Sequence, residues 1–282
     1  MFTVLGPRLK TATGYNGRVA RKPSLSPSKI STYLACPDKF KWTYVDDRGK
    51  WYLRAKSYYS FGSTLHKVLQ RFHDAGDVGV TTTHEAVAAL EESWIEAGYS
   101  SQEEMMEAMA EGKAIVESYV DAFRAQPVTA STLYIEKLLR TDLGPFTLVG
   151  RLDRVDEHED GSLEIVDYKS GRQGVTEEEV ASDLAMCCYG LLLGAKHPDV
   201  AISASIIALR TGEKATVRFE PEDMAQFRED LLVLGGEILG REYDSLVPVP
   251  KELCPSCDFL PLCTRHPDFV PPTVADQGRP PS

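Results

Sequence analysis

Residues 148–171, LVGRLDRVDEHEDGSLEIVDYKSG, decide the fold. Two runs rich in apolar and β-branched residues flank an Asp-Gly pair at 160–161, and this pattern predicts a β-hairpin. A turn centred near residue 160 places Asp153 almost opposite Asp167. Two like charges that face each other across strands destabilise a sheet. A divalent cation held by both carboxylates is the simplest compensation, so we expect a metal site on this hairpin.

Lys169 adds a positive charge to the same site. Side chains alternate along a strand, so Asp167 and Lys169 lie on one face, where the ammonium group would orient or deprotonate a water and stabilise charge developing on a phosphate. The alternative is a half-exposed hairpin with ordinary surface charges. That alternative explains neither the charges between the apolar residues of IVDYK nor the position of Asp153.

The rest of the chain alternates helical and strand patterns. Helices are expected from Ser26, from near Ser63, and over 83–97, 101–125, 176–195 and 221–240. Further strands are expected in STLYIEKLLRTDL, in the buried run VAISASIIALR and in the edge run KATVRFE. These elements predict an α/β fold, a mixed central sheet flanked by helices with a helical insertion at 70–125. The ordered domain is expected to span 24–266, between a disordered basic tail (1–23) and a disordered Pro-rich tail (267–282).

The motifs GRLDRVD and IVDYKSG resemble motifs II and III of the PD-(D/E)XK nuclease superfamily, in the version found in RecB-type nucleases. The upstream run GSTLHKVLQRFH resembles the motif of that branch in which a helical histidine joins the metal ligands. The resemblance implies a restriction-endonuclease-like fold. It also implies that Mg²⁺ or Mn²⁺ is held by His66, Asp153, Asp167 and the backbone carbonyl of Tyr168, with Lys169 catalytic.

Some residues of this region have a second interpretation or a secondary role. A histidine on a helix can also make its hydrogen bonds with core groups or solvent and bind no metal, and we assign this role to His73. Glu136, on the strand before motif II, is a secondary candidate for assisting the site. Family members often carry Q-x-x-x-Y on the following helix; here Tyr189 matches the tyrosine and could position substrate, but Ala185 stands at the glutamine position.

Four of the six cysteines form a separate pattern. Cys254, Cys257 and Cys263 have the spacing C-x2-C-x5-C, which lets three thiolates converge, and Cys36 is the available fourth ligand. The arrangement resembles the iron-sulfur staple of RecB-like nucleases, a [4Fe-4S] cluster that ties the two ends of the domain together, as in AddB-type and CRISPR-associated members. Zinc on four cysteines is the rival, because spacing does not exclude it. The adjacent pair at 187–188 is expected to be buried and inert.

The charge distribution is uneven along the chain. The formal net charge is -11, yet residues 1–56 carry 12 Lys and Arg against 3 Asp and Glu. Eight aromatic residues between 40 and 61 are interleaved with cations, a combination typical of single-stranded DNA binding. Three of these rings, Phe40, Tyr44 and Phe61, are expected to pack in the core or around the staple.

Together these features predict a metal-dependent DNA exonuclease that prefers single strands or ends and serves DNA repair or recombination. The alternative is a nuclease-like subunit that binds DNA or assists assembly without cleaving it. A zinc-stabilised scaffold without a DNA role is a third possibility. The sequence has no G-x-x-x-x-G-K-[ST] loop, so unwinding would need a helicase partner. No signal peptide or membrane-length apolar run is evident, which favours a cytoplasmic location.

Overall fold

The computed structural model describes residues 22–74, 80–127, 129–171 and 173–270. Most of both predicted tails, residues 1–21 and 271–282, lies outside the described residues. No helix in these ranges is both long and apolar enough to cross a membrane.

The described helices and strands alternate as the sequence predicts. The helices are α1 (Pro27–Ala35), α2 (Pro37–Phe40), α3 (Ser57–His73), α4 (Thr83–Ser93), α5 (Gln102–Ala125), α6 (Glu177–Ser182), α7 (Leu184–Lys196), α8 (Pro221–Gly240) and α9 (Leu260–Cys263). The strands are β1 (Ser24–Leu25), β2 (Ala130–Asp142), β3 (Thr147–His158), β4 (Leu163–Lys169), β5 (Ile202–Ala208) and β6 (Glu213–Arg218).

These strands form one mixed sheet with the order β1-β3-β4-β5-β6, and β2 also pairs with β3. The β2/β3, β3/β4 and β5/β6 pairs are antiparallel, whereas β1/β3 and β4/β5 are parallel. The expected mixed α/β sheet is confirmed. The run KATVRFE contributes β6 at an edge of the sheet, also as expected.

The hairpin of β3 and β4 has the predicted register. Arg154 pairs with Val166, so Asp153 and Asp167 occupy the next position along the two strands. Gly161 lies in the turn with a φ of 81°, a left-handed conformation that glycine adopts without a Cβ clash.

Helices cover both faces of the sheet. On one face α1, α7 and α8 pack against a core that includes Phe146, Leu148 and Ile165. On the other face α3, α4 and α5 pack against Val166 and Tyr168, the neighbours of Ile165 and Asp167 on β4. The region predicted as a helical insertion therefore forms the second layer of the fold and brings α3 over the hairpin.

Three helices differ from their predicted bounds. Helix α4 ends at Ser93 instead of 97, because Trp94 leaves the helical conformation. Helix α3 begins at Ser57, earlier than expected, and the side chain at its N-cap, Lys56, makes no capping hydrogen bond that could have marked the start. The single helix expected at 176–195 is interrupted at Asp183. This residue leaves the helical conformation and caps α7, because its carboxylate accepts hydrogen bonds from the amides of Ala185 and Met186.

Candidate metal centre

An open cleft of about 870 Å³ lies where α3 meets β2, β3 and the end of β4. His66 enters it from α3, Asp153 from β3 and Lys169 from β4. Each of these residues is carried by a regular element packed on the core, so the cleft has a rigid floor.

His66 makes two contacts that join α3 to the hairpin. Its Nε2 donates a hydrogen bond to the carbonyl oxygen of Tyr168 at 2.9 Å, and its Nδ1 lies 3.3 Å from Oδ2 of Asp153. That same oxygen accepts the amide N–H of Tyr168 at 3.0 Å. Burial by itself would lower the pKa of His66, but the hydrogen bond and negative charge of Asp153 outweigh burial and raise the pKa to about 9.

Glu136 completes a compact group with these residues. One side-chain ligand atom each from His66, Glu136 and Asp153 lies within 4.8 Å of the others. Glu136 has a φ of 46°, an uncommon left-handed conformation for a residue within a strand. Burial, followed by the charge of Asp153, raises the pKa of Glu136.

Asp167 and Lys169 lie beside this group. Nζ of Lys169 is 2.7 Å from Oδ2 of Asp167. Burial and the charge of Asp153 raise the pKa of Asp167 to about 6. Burial alone would lower the pKa of Lys169, but the carboxylate of Asp167 outweighs it, so the pKa of Lys169 is raised and the ammonium stays charged.

The arrangement fits a divalent cation. Oδ2 of Asp167 is buried, and the ammonium of Lys169, 2.7 Å away, supplies a positive charge to it. The ligand atoms of His66, Glu136 and Asp153 lie close enough together for one ion to reach all three. The carboxylate and carbonyl oxygens of this group suit Mg²⁺ or Mn²⁺. Of the four ligands implied by the resemblance, the structure brings His66, Asp153 and the Tyr168 carbonyl into contact, whereas Asp167 lies outside the 4.8 Å group and Glu136 takes a place within it.

Tyr189 lies beneath the carboxylates and does not line the cleft. It packs on Gly150, where an added Cβ would lie 2.9 Å from Cε1 of Tyr189 and 2.6 Å from Cδ1 of Leu192. Burial, followed by the charges of Asp167 and Asp153, raises the pKa of Tyr189. The ring is therefore neutral and holds α7 close to the back of the hairpin.

A buried network that sequence reasoning missed lies on the opposite face of the hairpin. Nη1 of Arg154 lies 2.7–2.8 Å from the hydroxyls of Tyr119 and Tyr168 and from Nε2 of His73, and these three acceptors share its two N–H groups. His73 therefore has hydrogen-bond partners within the core, as the sequence analysis predicted. The sequence carried little signal of this network, because Arg154 stands between Asp153 and Val155 in the charge-rich run RLDRVD.

The basic aromatic segment differs from its prediction. Phe40 and Phe61 are buried as expected, but Tyr44 is 41% exposed, although its ring centroid lies 5.2 Å from that of Phe40. Several cations that had suggested an anionic partner have acidic partners within the protein. These ion pairs are Lys41–Asp244, Arg48–Asp46, Lys50–Asp47 and Lys56–Asp258.

The four cysteines predicted to form the staple are free thiols near one another. Burial, followed by the charges of Asp38 and the other three cysteines, raises the pKa of Cys263 to about 12. Within the described ranges, no three cysteine sulfurs lie within 4.8 Å of one another. Cys36, Cys254 and Cys257 all lie close enough to Cys263 to influence its pKa, so the fold brings the four predicted ligands from the two ends of the domain together.

Comparisons with known proteins bear on the family. The family model for the PD-(D/E)XK nuclease superfamily matches residues 24–264. No curated protein matches the sequence. The crystal structure of SSO0001 is 11% identical to this chain, covers 88% of it and 89% of its own chain, and superposes with a TM-score of 0.35, which is too low to support the assignment. The family match spans most of the chain and includes the carboxylates and the lysine of the cleft, and on this basis the chain belongs to the PD-(D/E)XK nuclease superfamily.

Proposed function

We propose that the protein is a Mg²⁺- or Mn²⁺-dependent DNA exonuclease that hydrolyses phosphodiester bonds and prefers single strands or ends. One observation carries the proposal: the group of His66, Glu136 and Asp153 lies beside the Asp167–Lys169 pair in an open cleft. Superfamily membership supplies the expectation of metal-dependent nuclease chemistry.

The residues of the cleft have separable roles in this proposal. His66, Asp153 and the carbonyl of Tyr168 would hold the ion, with Glu136 or Asp167 as a further carboxylate. A bound ion would supply Lewis-acid polarisation of a phosphate and a lowered pKa for a water molecule. Asp167 keeps the ammonium of Lys169 protonated, so Lys169 stabilises negative charge on the phosphate. A protonated lysine cannot act as the general base.

Exposed cations at the cleft favour a polyanionic substrate. Lys67 on α3 and Arg151 on β3 line the same cleft, and both are exposed. Their charge is located where phosphates would lie beside the metal group. Nη1 of Arg151 also lies 3.7 Å from Oε2 of Glu136, so Lys67 supports DNA binding better than Arg151 or the ion-paired cations of 40–61 do.

We further propose that Cys36, Cys254, Cys257 and Cys263 bind a [4Fe-4S] cluster. In such a cluster each thiolate binds a different iron, so the sulfurs stand farther apart than around a single ion. The resemblance of the cysteine pattern to the staple of RecB-type nucleases is the reason for preferring the cluster to zinc. A link between residues 36 and 254 would close a loop of most of the domain and constrain the unfolded chain.

Cleavage of end-labelled linear and covalently closed circular single-stranded DNA tests the enzyme proposal. With Mg²⁺ or Mn²⁺, the wild type should degrade linear DNA from an end and leave circles intact. Lys169→Ala should be inactive, and Lys196→Ala, at an exposed lysine of α7, should match the wild type. Cutting of circles would contradict the exonuclease assignment, and binding without cleavage would favour the non-cleaving subunit.

Anaerobic purification followed by iron, sulfide and zinc analysis tests the cluster proposal. We expect about four irons per chain and a visible absorbance band that bleaches on reduction. Cys263→Ser should lose both, whereas Cys187→Ser should retain them. Stoichiometric zinc without iron would contradict the proposal.

A further inference from the structure

Two adjacent tyrosines stand at the mouth of the metal cleft. Tyr58 and Tyr59 begin α3, line the cleft and expose 61% and 63% of their surface. Their ring centroids are 4.4 Å apart and their planes are inclined by 48°. Neither ring belongs to the two hydrophobic cores of the described chain. Two large rings exposed together in a cleft indicate a binding surface.

The other aromatic residues near them have different surroundings. Phe40 and Phe61 are buried in the two cores. The hydroxyl of Tyr52 accepts a hydrogen bond from Arg265. Trp51 is 89% exposed but does not line the cleft. Of the eight rings in this segment, the structure therefore places the two adjacent tyrosines at the candidate metal centre.

The spacing along α3 relates these rings to the metal group. Tyr59 and Tyr58 precede His66 on the same helix by seven and eight residues, which is about 11–12 Å at 1.5 Å per residue. A stacked strand advances about 3.4 Å per nucleotide. A phosphate at His66 would thus place bases about three nucleotides away beside the two rings.

We propose that Tyr58 and Tyr59 form a stacking site for unpaired bases of the strand whose phosphate lies at the metal group. This inference rests on the proposed nuclease function, and the stacking site would explain why the nuclease prefers single strands. Unpaired bases offer their faces to aromatic rings, whereas paired bases in a duplex are already stacked on one another. Lys67 and Arg151 line the same cleft, where they would contact the phosphates of that strand.

Binding of short fluorescent oligonucleotides tests the proposal without cleavage when every variant is made in the Lys169→Ala background. Replacing both tyrosines by alanine should weaken single-strand binding about 5- to 150-fold, the loss expected for one stacked base, and leave duplex binding unchanged. Replacing both by phenylalanine should preserve binding, as should Trp51→Ala. A 2-aminopurine base three nucleotides from the bound end should be quenched only when the two rings are present.

Equal loss of single-strand and duplex binding, or no loss of either, would overturn the stacking site. Both tyrosines are exposed, so the alanine variants should unfold at the wild-type temperature, and this measurement excludes misfolding. Cleavage by the parent protein separates the two proposals. If the alanine replacements lower single-strand binding alone but the wild type cleaves no DNA, the stacking site is supported and the nuclease function is contradicted. If both tyrosines are replaced by alanine in the protein that retains Lys169 and cleavage of single strands is unchanged, the stacking site alone is contradicted.

Discussion

Nδ1 of His66 lies 3.3 Å from Oδ2 of Asp153, and this contact joins the helical layer to the sheet. The same oxygen accepts the amide N–H of Tyr168, so one carboxylate links α3, β3 and β4. The link lies at the candidate metal centre. The packing of α3 on the sheet and the geometry of the proposed ligands therefore depend on each other.

Glu136→Gln should weaken Mn²⁺ binding by at least about tenfold, because glutamine keeps the size of the side chain and removes the charge that a divalent ion favours. Isothermal titration calorimetry measures this change directly. Glu157→Gln, at an exposed position near the end of β3, is the matched control and should bind Mn²⁺ like the wild type. Equal affinity in both variants would remove Glu136 from the metal group.

Arg154→Met should destabilise the fold by about 3–5 kcal/mol, because it leaves the mostly buried carboxylate of Asp156 without its cation, 3.0 Å away. Urea unfolding measures the difference. Arg140→Met, at an exposed position on β2, should change stability by no more than about 0.5 kcal/mol. A loss of the same size at both positions would show that the buried network has no special role.

His73 should make the protein sensitive to acid. Burial and the charge of Arg154 lower the pKa of His73 to about 2, so the folded protein holds this ring neutral. The unfolded chain binds a proton below pH ~6.5, and stability should fall as pH drops below that value. The loss from His73 alone should reach about 2 kcal/mol at pH 5.

His73→Gln isolates this contribution from other titrating groups. The difference in stability between the wild type and the variant should shift against the wild type by about 2 kcal/mol between pH 7 and pH 5. Denaturant unfolding at a series of pH values measures it. A difference that does not change with pH would contradict a neutral buried His73.

Two adjacent glycines of α8 should respond in opposite directions to alanine. A Cβ at Gly235 would lie 2.1 Å from Cε1 of Phe146, whereas a Cβ at Gly236 has no neighbour within 4 Å. Gly235→Ala should destabilise by about 1–3 kcal/mol through overpacking. Gly236→Ala should stabilise by up to about 1 kcal/mol through helix propensity. Thermal unfolding compares them, and similar melting temperatures would contradict this packing of α8.

The hairpin was predictable because its signals are local. The turn at 160–161 and the alternation along each strand fix which residues face each other, and the pairing of Arg154 with Val166 agrees with them. The helix that carries His66 was also predictable from its apolar spacing. Its exact start was not, since no side chain caps it.

The sequence named Glu136 only as a secondary candidate, because local signals do not place it in the metal group. Its place there depends on the register between β2 and β3, which shifts between Thr132 and Tyr134. The charges of the aromatic segment were misread for a similar reason. Lys41 and Lys56 pair with Asp244 and Asp258, which are distant in sequence and become neighbours only in the fold.

Mn²⁺-dependent cleavage of labelled single-stranded DNA by the wild type and Asp153→Asn tests the central claim most directly. We predict cleavage by the wild type that stops when the metal is chelated and resumes when it is restored. Asp153→Asn should lower the rate by at least about 1,000-fold while the protein remains folded. Equal rates for the two proteins, or cleavage that persists without a divalent ion, would contradict a metal-dependent nuclease centred on His66 and Asp153.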